Sequence, residues 1–221
     1  MTLFDDLKQA IGETWPDYTR HEFVTRLGDE TLPLPVFQDY LVQDYLFLIH
    51  FARANALAAY KGRSLAEIRD GAAALAVILD ETELHRRLTQ RWGISLEELD
   101  AAPEKMATVA YTRFVLDSGH SGGLLDLHVA LAPCVIGYAE IGRELAPHLH
   151  EDHRYGEWIA EYAGAGFQEA ADAAIQRLDT LAEGTLTTRR FNELVTLFAA
   201  ATRLERDFWQ QALDVRGSAT D

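Results

Sequence analysis

Three residues of reactive type fall where apolar side chains are expected. Leu124, Leu127, Leu131, Cys134, Tyr138, Ile141 and Leu145 recur at steps of three and four, the spacing of one helical face. The chain's single cysteine lies in the middle of that face. Leu194, Phe198, Ala201, Glu205, Phe208 and Ala212 keep the same spacing, with a glutamate in fourth place. Phe37, Tyr40, Leu41, Asp44, Leu48, Phe51 and Asn55 share a third face, where Asp44 replaces an expected leucine. A free cysteine on an apolar face is, taken alone, a small hydrophobe. An inward carboxyl is different, because out of water it must be paired or keep its proton. A desolvated glutamate suits proton transfer near neutral pH. It equally suits half of a buried ion pair, with Arg203 or an arginine of another helix as partner. Asp44 can accept from the N–H groups of a ligand or cap a buried arginine, and Asn55 adds a further polar group to its stripe. Phe47, Phe51, Tyr111, Phe114, Tyr138, Tyr162, Phe208 and Trp209 escort these residues and could sandwich a flat ring.

The elements that must position them are helical. A period of 3.6 runs through nearly the whole chain, and no alternation at period two lasts a strand's length. Glycines and prolines divide the chain into expected helices near 2–13, 17–27, 34–61, 64–92, 104–118, 121–146, 154–163, 166–182 and 187–213. Ser64 with Glu67 reads as a capping box, Thr187 or Thr188 can cap the last helix, and Ser95 starts a short extra one. Connections are short, so an all-α bundle of antiparallel neighbours is expected in one domain over 1–221, with 214–221 a frayed tail.

Composition narrows the function classes. At 221 residues and 48% hydrophobic, the chain can build one sizeable core. A net charge of −15 with no basic cluster argues against nucleic acid as a partner. No run approaches the ~18 apolar residues that cross a bilayer, so no membrane partner is expected. The opening stretch "MTLFDDLKQAIGETW" has no basic region of the kind that starts a secretory signal. One cysteine cannot form an internal disulfide, which fits a reducing cytoplasm.

Five blocks carry a resemblance: "HEFVTRLGDETLPLPVFQDYLVQDYLFLIHFARANALAAY", "ILDETELHRRLTQRWGIS", "AYTRFVLD", "LAPCVIGYAEIG" and "TRLERDFWQQAL". In order and spacing, from about residue 15 to 213, the chain resembles the TenA (thiaminase II) family, in its cysteine-bearing branch. The resemblance implies an all-α, heme-oxygenase-like bundle assembled as a homotetramer. It implies hydrolysis of 4-amino-5-aminomethyl-2-methylpyrimidine to the hydroxymethyl compound in thiamin salvage, with thiamin as a lesser substrate and no cofactor. By the same resemblance, Cys134 is the nucleophile and Glu205 the acid/base. Asp44 would pair with the aminopyrimidine edge, and Tyr111, Tyr138, Tyr162, Phe47 and Phe208 would line the substrate. Many members carry tyrosine where this chain has Phe47, so a hydroxyl is missing there while stacking survives.

Rival chemistries have weaker footing. His148, His150 and His153 with Glu151 and Asp152 could be read as metal ligands, but they follow Pro147 in what reads as a solvated loop. Glu81 and His85 read as an exposed i, i+4 pair. The same bundle also hosts heme oxygenases and PqqC-like oxidases; a heme protein would need a proximal histidine on a core stripe, from His21, His50 or His128, and His21 reads as structural. A carrier that binds a pyrimidine without reacting would have no need of Cys134.

Overall fold

Hydroxyl caps start several helices. Thr2 accepts from the Asp5 N–H while Asp5 returns a bond to Thr2, opening α1 (Leu3–Ile11). His21 accepts from the Phe23 N–H and thereby divides the helix expected over 17–27 into α2 (Thr14–Thr19) and α3 (Glu22–Gly28). Next come α4 (Leu34–Lys61) and α5 (Leu65–Arg91). Ser64 caps α5 as expected, but Glu67 returns its bond to Arg63 rather than to Ser64. Ser95 and Glu98 form a complete capping box for α6 (Leu96–Ala101). The remaining helices are α7 (Met106–Ser121), α8 (Leu124–Ala132), α9 (Tyr138–Leu145), α10 (Gly156–Ala163), α11 (Ala165–Ala182) and α12 (Thr188–Leu213). Thr187 accepts from Arg190 at the start of α12.

This computed structural model describes residues 1–215, apart from the side chains of Asp80, Glu81, Glu83, Leu84, Arg87 and Leu88. The Glu81 half of the expected Glu81/His85 pair and the tail beyond 215 therefore lie outside the described residues. Among the described residues there is no strand. Asp214 and Val215, expected to fray, still bond to Gln210 and Ala212 at the end of α12.

The chain forms two compact units. One comprises Met1–Leu32 with His128–Trp209, and the other Pro33–Leu127 with residues 210–215. In the first, α9 lies against α10, and α11 lies against α1 and α10. Its core holds Trp15, Tyr18, Phe23, Phe198 and Trp209, all almost wholly buried. In the second, α4 is the central element and lies against α5 and α7.

The helix expected to run unbroken over 121–146 does not. After α8, a π turn spans Pro133–Gly137, and only then does α9 begin. Proline has no N–H, and its ring crowds the carbonyl one turn back. The chain relieves this by looping in one extra residue. Each residue turns an α-helix by ~100°, so the insertion rotates α9 relative to α8 and Tyr138 no longer stands straight above Cys134. The helical stretch Leu124–His148 is long and apolar enough to cross a membrane by length and composition, contrary to the sequence count, but 72% of its most apolar window is buried inside the protein. That burial is typical of a core helix.

Close helix approach in the first unit depends on Gly142 in α9. A Cβ there would lie 2.4 Å from the Tyr162 carbonyl carbon and 2.6 Å from its oxygen, both in the backbone of α10. Gly142→Ala should therefore destabilise by about 1–3 kcal/mol, the usual range for overpacking. Thermal melts should show a drop of roughly 3–10 °C. An unchanged melting temperature would mean that the two helices separate freely.

Candidate functional site

In the first unit, the π turn places Cys134 among apolar residues at 9% exposure. Its thiol donates to the Leu131 carbonyl at 3.0 Å. Glu205, on the inward face of α12, is 1% exposed. Arg203, named from sequence as its possible partner, is exposed instead; two residues away on a helix is nearly the opposite face. Rings surround this part of the unit. Tyr138 lies 4.9 Å from Tyr162 and 5.2 Å from Trp209, centroid to centroid. Phe208 meets Trp209 edge-on. The sequence reading missed Trp158, which lies 4.5 Å from Tyr162 and 6.0 Å from Tyr138. Its position four residues before Tyr162 on α10 was the available signal.

In the second unit, Asp44 is buried on α4 beside Tyr40, whose hydroxyl donates to it. Burial lifts the Asp44 carboxyl from an ordinary 3.8 to about 7, and the Tyr40 hydrogen bond offsets only part of that. His85 is the residue that the sequence misplaced. It does not face solvent on α5 but turns towards α4, with Nδ1 3.7 Å from Asp44 Oδ2. Its Nε2 lies 3.0 Å from the Leu41 carbonyl, which can only accept, so that nitrogen carries the proton. Burial also pushes the His85 pKa down, leaving a neutral ring beside a carboxyl that resists ionisation. Phe47 stacks on Tyr111 at 5.1 Å and on Phe51 at 6.0 Å. Asn55 is buried, but its amide donates to the Phe51 carbonyl one turn back and so serves its own helix.

Several of the histidines considered as metal or heme ligands have other partners. His150 pairs with Glu30 at 2.8 Å, and the second Glu30 oxygen accepts from the Arg154 N–H. His153 is buried rather than solvated; its Nε2 donates to the Gly28 carbonyl and its Nδ1 accepts from Tyr155. Together they pin the loop before α10 onto the end of α3. Among the described residues, no group of three or more His, Cys, Asp or Glu could hold a metal ion. His21 caps α3, and His50 joins Glu104 and Arg113 in a polar cluster. His128 is held neutral by burial, which with nearby Arg177 pushes its pKa down to about 4.

The family model described as TENA/THI-4/PQQC matches residues 8–215. An aminopyrimidine aminohydrolase of Halalkalibacterium halodurans is 40% identical over 219 residues, covering 98% of this chain and 97% of that protein. The crystal structure of a TenA family transcription regulator from Silicibacter sp. TM1040 superposes with a TM-score of 0.90 at 41% identity, covering 96% of each chain. A domain with a heme oxygenase-like fold from Shewanella denitrificans OS217 superposes with a TM-score of 0.75 over 96% of this chain and 92% of that one. At 11% identity it bears on the fold alone, which is all-α and heme-oxygenase-like as expected.

The buried carboxyl sets a pH dependence whose sign is fixed. Between its ordinary value of 3.8 and the folded value of about 7, folded Asp44 keeps a proton that the unfolded chain releases. Stability attributable to Asp44 therefore falls as pH rises through that window, and the penalty is complete above it. Asp44→Asn has no such proton. From about pH 5 to about pH 8, its melting temperature should gain on wild type by the equivalent of about 2.5 kcal/mol. His128 shifts in the opposite sense but is common to both proteins and cancels. A gap that stays constant with pH would show Asp44 ionised throughout.

Proposed function

The chain belongs to the TENA/THI-4/PQQC family, and on that premise we propose that it hydrolyses 4-amino-5-aminomethyl-2-methylpyrimidine to the hydroxymethyl compound, with thiamin as a secondary substrate. It is an enzyme of the aminopyrimidine aminohydrolase class. The observation that supports the finer reading is the state of the first unit: a thiol held in a π turn and a buried carboxyl accompany a cluster of four aromatic rings, Tyr138, Trp158, Tyr162 and Trp209.

The assigned roles follow from what each group can do. Amine is a poor leaving group, so direct displacement by water is slow. The Cys134 sulfur adds to the electron-poor pyrimidine, and Glu205 takes up the thiol proton and delivers it to the departing amine. Ammonia leaves, water adds at the methylene, and the thiolate is expelled and reprotonated. The net change is replacement of –NH₂ by –OH, with water consumed and ammonia released. Asp44, keeping its proton near neutral pH, offers one donor and one acceptor, the complement of a ring nitrogen beside an exocyclic amine. Phe47, Tyr111, Tyr138, Tyr162 and Phe208 supply ring faces and hydroxyls along the substrate. The proposal includes a cytoplasmic location, a single functional domain over both units, and assembly as a homotetramer. Tyr60, Leu65, Val77 and Leu79 are large apolar or aromatic side chains exposed on α4 and α5, which suits burial against other copies.

Incubation with the aminomethylpyrimidine and with thiamin, followed by assay of the hydroxymethyl product, tests the activity directly. Binding without turnover would make the chain a carrier. Cys134→Ser should keep the fold and lose nearly all turnover, because a hydroxyl is a far weaker nucleophile at neutral pH. Residual activity within about tenfold of wild type, only ~1.4 kcal/mol of barrier, would return Cys134 to a packing role. Glu205→Gln should lower turnover per folded molecule by roughly 10²–10⁴-fold. A Gln variant that melts far lower yet turns over normally when cold would instead identify Glu205 as half of a structural pair, whose loss costs on the order of 3–5 kcal/mol.

A further inference from the structure

We propose that Tyr18 is a positioning residue for Cys134, holding the π turn through the Pro133 carbonyl and so setting the direction of the thiol. This rests on the reading of Cys134 as the nucleophile. Tyr18 is completely buried on α2, and its hydroxyl donates to the Pro133 carbonyl at 3.1 Å. That oxygen belongs to the peptide joining Pro133 to Cys134, so the bond fixes the plane from which the cysteine Cα projects.

The turn is shaped to admit the phenol. Gly137 closes the π turn, and a Cβ there would lie 2.5 Å from Tyr18 Cε1 and 2.7 Å from its hydroxyl oxygen. Any larger residue would push the ring away from the carbonyl it bonds. The ring is held from its other sides as well, stacked on Trp209 at 6.4 Å and edge-on to Trp15 at 5.7 Å. Trp209 lies four residues after Glu205, on the same side of α12. One buried phenol thus contacts both the segment that carries the thiol and the helix that carries the carboxyl. A π turn is a rare, single-turn departure from α geometry, and where it sits along a helix is decided by such side-chain contacts. Pro133 forces an irregularity; Tyr18 and Gly137 fix its form.

Tyr18→Phe tests this, since it keeps the ring and deletes only the donor. With the aminomethylpyrimidine as substrate, kcat should fall about tenfold or more while KM stays within about twofold, a loss confined to the reacting geometry. The rate of Cys134 alkylation by iodoacetamide should change by at least about threefold, and its pH profile should shift, because the thiol no longer sits as before. Gly137→Ala displaces the same ring from the other side and should reproduce the kinetic signature. It also serves as the second variant should Tyr18→Phe fail to fold. Three results would overturn the proposal: kcat and alkylation both at wild-type values; a lower melting temperature with kcat per folded molecule unchanged; or a fall in kcat with alkylation unaffected. The alkylation readout needs no turnover. If Cys134→Ser remains active, the nucleophile reading fails on its own, while the effect of Tyr18 on the thiol can still be measured.

Discussion

Taking a polar group out of water is the constraint on which the rest of this structure depends. The protein meets it in two ways according to depth. Towards the surface it pairs opposite charges: Lys8 with Glu140, Lys105 with Asp39 and Arg113 with Glu104 all meet where at least one partner is partly solvated. Deeper, several groups are uncharged and hydrogen-bonded. The Cys134 thiol donates to Leu131, His85 donates to Leu41, and Asp44 accepts from Tyr40 while holding its own proton up to about 7. Neutral interior groups avoid the several-kcal/mol desolvation penalty of a buried ion. They also leave Asp44 with a donor and an acceptor instead of a bare charge, the property on which the proposed recognition of a flat, uncharged heterocycle relies.

Pro133 imposes a second constraint, on the backbone. Without its N–H the core helix cannot continue as an α-helix, and the irregularity falls at the residue next to it, Cys134. A cysteine on a regular helix would share its face with Leu131 and Tyr138 and pack like any small apolar side chain. Inside a π turn the same residue sits in a locally rotated backbone, where Tyr18 bonds the Pro133 carbonyl and packs against Gly137. On the proposed reading, this placement separates Cys134 from the ordinary buried cysteine that composition alone would suggest.

Helix periodicity made most of the fold legible. The spans expected at 34–61, 64–92 and 187–213 agree with α4, α5 and α12 to within a residue at each end, because long amphipathic segments with clear caps leave little freedom. The inward setting of Cys134, Glu205 and Asp44 was also readable, since each interrupts an apolar stripe. Two kinds of information were not. The division at residue 133 was missed because the apolar spacing runs through Pro133 without a break, whereas the missing N–H acts on the backbone whatever the face. The inward turn of His85 was missed because a charged stretch, "DETELHRR", reads as solvated. Local composition cannot reveal that one residue of such a stretch faces Asp44 on a neighbouring helix.

The hydrogen bond from Cys134 to Leu131 bears on how the proposed reaction begins. A thiol that donates to a carbonyl in an apolar setting is stabilised as the thiol, and the thiolate is the nucleophile. On the proposed reading, proton removal must then accompany attack, with the carboxyl of Glu205 as the base and the electron-poor ring drawing density from sulfur as the new bond forms. A thiol kept protonated at rest also reacts slowly with stray electrophiles and oxidants, which attack the thiolate. Burial thus makes reactivity conditional on substrate, and a single cysteine deep in a helical core can serve as a nucleophile without being a liability.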